Sequence, residues 1–304
     1  MISYALALGA AAANAAGNVL NRKASREEPD RAEFRLRLIA GLLRRPAWLS
    51  AVGLMILSFA LSATALGTGE LATVQIVIIL DLPLTLVGGA RVLGGHLGRR
   101  EWLAIGALAA GVAALLVLLD PQSGTQAARI PATDWILGSA ASAGAIAVLF
   151  AAARFKATKA ARASLLGIAA GLGYGLTAAF TKGMTQEFSA RGLAGVLASW
   201  QLYALAITGL ASVWLLQNAY HAGTLAAAQP GITLADPVVS TLWGVLVFGE
   251  EIRHGPVLLL ALLPTAAVAA GAVLLSRSPV MQATRDDESA GSRPEPAVSS
   301  AEAG

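Results

Sequence analysis

Residues 76–86 read IVIILDLPLTL, and the aspartate and proline inside this hydrocarbon run decide how the chain is read. A carboxylate is costly in lipid and usually faces a bundle interior or a water-filled cavity. A proline in mid-helix lacks the N–H that its turn requires and crowds the carbonyl four residues earlier. The same pairing returns at 231–241, GITLADPVVST, so Asp81 and Pro83 have an echo in Asp236 and Pro237.

The surroundings explain why such residues stand out. The chain has 304 residues, 56% of them hydrophobic and 13% charged, with a mean hydropathy of +0.65. Soluble domains carry about 25% charged residues. The apolar residues fall in blocks near the ~20 residues that cross a bilayer, which makes this an all-α membrane protein. There is no cysteine, so disulfides, thiolate metal sites and cysteine nucleophiles are excluded. The sequence pI of 9.8 does not imply nucleic acid, because the basic residues lie between apolar blocks, where they set topology.

Nine spans are expected, at 2–21, 47–66, 70–93, 102–119, 134–153, 164–181, 195–217, 223–248 and 255–276. The first lacks the basic n-region of a signal peptide. With the N-terminus outside and the C-terminus inside, eighteen of the 22 Lys and Arg residues fall on the inner side, leaving Arg129, Lys182, Arg191 and Arg253 outside. The positive-inside rule selects that orientation. Trp48, Trp102, Trp135 and Trp200 lie near span ends, as an interfacial belt requires. The tail 278–304 is small, polar and proline-containing, and reads as a disordered cytoplasmic segment.

Residues 59–85 lie over 213–239 at a constant offset of 154, with nine of 27 positions identical. Gly69 meets Gly223, Gln75 meets Gln229 and Pro83 meets Pro237. The end of the first span also echoes the sixth, AAGNVLNRK (15–23) against YGLTAAFTK (174–182). The expected organisation is a first repeat over 1–120 (spans 1–4), a linker with span 5 over 121–162, and a second repeat over 163–277 (spans 6–9). An odd linker makes the four-helix repeats enter the membrane from opposite sides, the inverted arrangement of secondary transporters.

Paired repeats, the prolines Pro83 and Pro237, and the ending Phe248-Gly249-Glu250 before the last span together resemble the drug/metabolite transporter superfamily. The nine-span layout with a long basic segment after the first helix looks most like its EamA-like and NIPA-like branches. The resemblance covers roughly 1–277, and implies alternating access about a cavity lined by spans 1, 3, 6 and 8. If the NIPA-like likeness is the closer one, Mg²⁺ or another divalent cation is the implied cargo. The chain departs from the pattern at Leu97-Gly98-Arg99, where the superfamily has Leu-Gly-Glu. Span 1 also lacks the carboxylate of the small multidrug relatives, which speaks against proton-coupled drug efflux.

The polar residues inside the spans nominate a site. Asp81 and Asp236 are the two deep carboxylates. Gln229, Thr233, Asp236 and Ser240 share one helical face in span 8. In span 3, Asp81 and Thr85 align with Glu70, about 16 Å away along the axis, while Gln75 lies off that line. Span 1 carries Asn14, Asn18 and Asn21. The expected solute- or ion-binding set is Asp81, Asp236, Gln75, Gln229, Thr233, Asn14 and Asn18, with helix breaks at Pro83, Pro230 and Pro237.

Each feature has a plainer reading. Asp236-Pro237 fits an N-cap with proline at N1. The asparagine stripe fits interhelical hydrogen bonding. Gly167, Gly171 and Gly175 fit close helix packing, with no P-loop lysine and hydroxyl after them. Lys23 and Lys182 fit snorkelling at span ends. Gln217 and Asn218 fit local backbone satisfaction. His96, His221 and His254 fall in loops, with no metal or triad spacing.

The function expected is a secondary transporter in a bacterial plasma (inner) membrane, moving a small solute or cation. The alternative is a non-transporting scaffold or accessory subunit with a degenerate transporter fold. No enzymatic activity, cofactor or nucleic-acid partner is expected, and the metal is unknown. The partners are the bilayer and the solute, and a homodimer is compatible with the layout.

Overall fold

A computed structural model describes residues 2–26, 46–93, 97–122, 130–156, 158–223, 225–253 and 255–278. The tail beyond Ser278, most of the basic segment after the first helix, Arg129, His96 and His254 lie outside the described residues, as do the side chains of Asn21 and Lys23.

The described residues form eleven helices and no strand: α1 (Ile2–Arg26), α2 (Pro46–Thr68), α3 (Leu71–Ile78), α4 (Asp81–Leu93), α5 (Arg99–Leu119), α6 (Ala132–Arg154), α7 (Lys159–Ala198), α8 (Trp200–Ala222), α9 (Leu225–Leu246), α10 (Pro256–Leu260) and α11 (Leu262–Ser276). An isolated bridge joins Gln122 to Glu251. Counting α3 with α4 and α10 with α11, seven helical stretches are long and apolar enough to cross a membrane, a composition compatible with a multi-pass membrane protein. The large apolar side chains of Ile207, Leu210, Leu246 and Leu263 are each about seventy percent exposed, as expected where lipid is the solvent.

Of the nine expected spans, the two at α1 and α9 are not matched by this measure. Both have the length, at 25 and 22 residues, yet neither is among the seven. These helices carry Asn14, Asn18, Gln229, Thr233 and Asp236, and the polar residues of interest are what lower their hydropathy.

Helix bounds recur along the chain. α2 and α8 are 154 residues apart at both ends, and α3 and α9 begin 154 residues apart, at Leu71 and Leu225. Packing partners recur as well: α1 lies on α2, α3 and α4, while α7 lies on α8 and α9. α5 packs along α11, joining the ends of the two halves.

The prolines behave unequally. The helix is interrupted at Ile79–Leu80, just before Pro83. Pro83 cannot donate to the Ile79 carbonyl, which accepts from the Leu82 N–H at 3.3 Å instead, and Leu80 N–H reaches back to Val77 at 3.0 Å. The chain tightens to a 3₁₀-like turn rather than unwinding. Pro264 has the same effect on the last span, where the helix is interrupted at Ala261. Breaks at Pro230 and Pro237 are not found, because α9 runs continuously through both. Neighbouring helices can hold a transmembrane helix together across a proline, and here α7 does so. A Cβ added at Gly171 would lie 2.8 Å from the Ile232 carbonyl, and one at Gly175 would lie 2.9 Å from the Asp236 carbonyl. At Gly167 it would collide with the Ala228 carbonyl. The three glycines therefore form a groove in which α9 is pressed against α7, as their spacing suggested.

The sixth span also ends later than expected. α7 stays helical past residue 181 to Gly192, whose φ of 67° and ψ of −159° divide it from a short terminal piece. The fall in hydropathy near Thr181 marks a change of surroundings, not the end of the helix. The seventh span accordingly starts at Trp200, not near 195.

Candidate functional site

α1, the α3–α4 junction and α9 converge on one cavity of 260 Å³. Its wall includes Asn18, Gln75, Asp81, Gln229, Thr233 and Asp236, six of the seven residues expected from sequence. Asn14, the seventh, stands behind the wall and donates to Asp81 Oδ2 at 2.7 Å. Thr85 donates to Asp81 Oδ1 at 3.0 Å from one turn along α4. Asp81 is thus the first residue of α4, placed there by the Pro83 turn and held to α1 by Asn14.

The second carboxylate is held from the other side. Asp236 Oδ1 accepts from Gln75 Nε2 at 2.8 Å and from Ser240 Oγ at 3.3 Å. Gln75 Nε2 also reaches Ser240 Oγ at 3.1 Å. Gln75 and Ser240 are buried, while Asp81 and Asp236 are half-buried at the cavity face. Gln75 was expected off the Asp81 line, and it is: it faces α9 rather than its own helix partner. Gln229 donates to Thr233 at 3.4 Å, one turn apart on α9. Among the described residues, no basic side chain lines this cavity. Glu70 does not join the Asp81 stripe. It sits at the N-cap of α3.

One buried charged grouping escaped the sequence reading. Lys182 was expected to snorkel at a span end, but it lies buried in the middle of α7 and pairs with Glu250 at 2.5 Å. Its Nζ also donates to the Gly69 carbonyl at 3.0 Å and lies 5.1 Å from the centre of the Phe248 ring. The Glu250 carboxylate accepts from the backbone N–H groups of Leu71 and Ala72, the latter at 3.2 Å. A carboxylate at a helix N-terminus satisfies free donors and complements the helix dipole. Gly244 makes room for it, since a Cβ there would strike the Glu250 carboxylate. Sequence offered only a weak signal: a glutamate in the Phe-Gly-Glu ending, and a lysine between apolar Ala178–Phe180 and Met184.

A larger cavity of 1070 Å³ opens beyond this pair, between α6, the far end of α7 and the start of α8. Trp135, Trp200 and Phe248 form its aromatic wall, and Gln186, Gln201 and Arg191 its polar one. Trp135 is the hub of the aromatic residues there, stacked on Phe180 and edge-on to Phe248 and Trp200.

Among the described residues, no group of three or more His, Cys, Asp or Glu side chains is arranged to hold a metal ion. The cavity instead offers two carboxylates with amide and hydroxyl groups around them. No family model and no solved structure matches the chain. A relative from Corynebacterium glutamicum, described as an uncharacterised protein, is 28% identical over 255 residues, which span 83% of this chain and 86% of the relative. What the two proteins share therefore runs through nearly the whole of each.

Proposed function

We propose that the protein is a multi-pass secondary transporter of the drug/metabolite type, moving a small solute or cation by alternating access between two inverted repeats. The observation that carries this reading is the shared cavity. Asp81 comes from the first copy and Asp236 from the second, and the Gln75–Asp236 hydrogen bond crosses between the copies. A polar site between repeats, bordered by a proline-interrupted helix, is the arrangement by which transporters bind near the bilayer midplane. The 154-residue recurrence of helix bounds supports the repeat, and the membrane reading takes α1 and α9 as spans eight and nine of the bundle. The distribution of basic residues supports an external N-terminus.

Two carboxylates with no basic side chain among the described cavity-lining residues favour a positively charged cargo or a solute carried with a proton. A hydrated Mg²⁺ that keeps most of its waters fits such a sparse donor set, and so does a small organic cation. Uptake into proteoliposomes across divalent cations, amines and amino acids, with and without a pH gradient, tests the proposal. Asp81→Asn and Asp236→Asn are each expected to lower flux about tenfold or more. If both variants insert normally and transport unchanged, the site assignment fails. Absence of flux for every solute would favour the accessory-subunit reading.

A further inference from the structure

The two cavities lie on opposite sides of the Lys182–Glu250 pair. Three elements place them in the same order. From the end of α2 into α3, Gly67 lines the large vestibule, Leu71 and Ala72 hold Glu250, and Gln75 lines the central cavity about 6 Å beyond Leu71. From α9 onward, Asp236 lines the cavity, Trp243 packs in between, and Phe248 faces the vestibule. Along α7, Gly175 packs on Asp236, Lys182 forms the pair, and Gly183 lines the vestibule. The ion pair lies between the two spaces together with the Trp135–Phe180–Trp243–Phe248 cluster and the buried Leu71, Val74, Leu176 and Val239 of the same core.

We propose that Lys182 and Glu250 are a latch that closes the central cavity to the vestibule, and that the latch opens by parting Glu250 from the first turn of α3. The proposal rests on the transport reading for its purpose, but its geometry stands on the two cavities and the pair between them. The latch joins both copies: Gly69, Leu71 and Ala72 belong to the first, Lys182 and Glu250 to the second. Any rocking of one copy against the other must stretch it. An ionic closure suits a moving part. A buried pair adds little stability beyond what apolar packing at the same place would add. Once separated, its partners can be hydrated from the adjoining vestibule, whose far rim at Gln186 and Arg191 is exposed. An apolar plug would have no such open state.

Because the chain has no cysteine, one introduced thiol reports on its own surroundings. Thr233→Cys reports on the cavity and Gln186→Cys on the vestibule, each read by the rate of reaction with a membrane-impermeant sulfonated maleimide added on the vestibule side. With the latch intact, or with Lys182→Arg, Thr233→Cys should react about tenfold or more slowly than Gln186→Cys. Glu250→Gln should raise the Thr233→Cys rate about tenfold and leave Gln186→Cys unchanged. The paired variant Lys182→Met with Glu250→Gln leaves no lone buried charge, and should give the same increase if the single variant fails to fold. Unchanged Thr233→Cys rates in the folded variants would overturn the latch, as would an intact protein in which both thiols react equally fast. The labelling needs no substrate. Flat labelling alongside flux that depends on Asp81 and Asp236 would sink the latch alone. Increased labelling in a protein that transports nothing would sink the transport reading alone.

Discussion

The stretches that begin at Leu71 and Leu225 correspond at a constant offset of 154 residues, yet only the first is broken. In 71–93 a single proline coincides with an interruption at Ile79–Leu80. In 225–246 two prolines leave the helix whole. A proline removes one hydrogen bond in either place, so what differs is the support. α9 lies in the groove of Gly167, Gly171 and Gly175, pressed against α7 over several turns. The first copy has no groove of that kind. Gly17 of α1 turns toward Ala51 and Met55 of α2 instead of toward the α3–α4 junction. The break frees Asp81 to begin a helix and meet Asn14. The unbroken copy keeps Asp236 and Ser240 a turn apart, where both can reach Gln75. The two stretches thus supply unlike parts of one cavity wall.

The copies also differ at their N-termini. α3 begins under the Glu250 carboxylate, and the residue 154 places before Glu250 is His96, which lies outside the described residues. Glu250→Ala would strip two backbone N–H groups of their acceptor and leave Lys182 buried without its partner. A loss of about 3–5 kcal/mol is expected for breaking one side of a buried pair, read from unfolding in detergent. A loss under about 1 kcal/mol would mean the pair behaves as an exposed one. Next in size, Gly171→Ala should cost about 1–3 kcal/mol by overpacking. Gly17→Ala should cost less, because its nearest backbone contact, Ala51 O at 3.2 Å, leaves more room than the 2.8 Å at Gly171. Equal costs in the same unfolding measurement would remove the groove as the reason α9 stays whole. The smallest effect belongs to the prolines. Pro83→Ala should let α3 and α4 join and weaken the Asn14–Asp81 hydrogen bond, worth about 0.6 kcal/mol in membrane helices. Spin-label distances across residues 74 and 88 should lengthen or shorten in Pro83→Ala, while a matching pair across Pro237→Ala stays put. A shift in both would show that each proline bends its helix alike.

Much of this was legible in the residues. Hydropathy placed most spans within a few residues, because length and apolarity are local properties that a bilayer demands of any helix. The seven-residue site set came from polar residues in apolar runs, and six of them line one cavity with the seventh bonded to it. The proline breaks were half legible. A proline marks where a hydrogen bond is missing, but not whether a neighbour such as α7 compensates. Pro264, with no carboxylate beside it, attracted no notice and still has an interruption before it. Lys182 was misread because a lysine where hydropathy falls normally snorkels, and nothing local announces a partner 68 residues away.

By itself the sequence determined an all-helical, lipid-facing chain, its internal recurrence, and the polar residues that a low-dielectric interior would not tolerate without a purpose. Only the tertiary structure decided that Gln75 serves Asp236 rather than Asp81, that Glu250 caps α3 and neutralises Lys182, and that one proline breaks its helix while its twin does not. The division has a physical cause. Burial and helix propensity act through neighbours in sequence, whereas hydrogen bonds and ion pairs between spans depend on rotation and depth, which are set when helices pack.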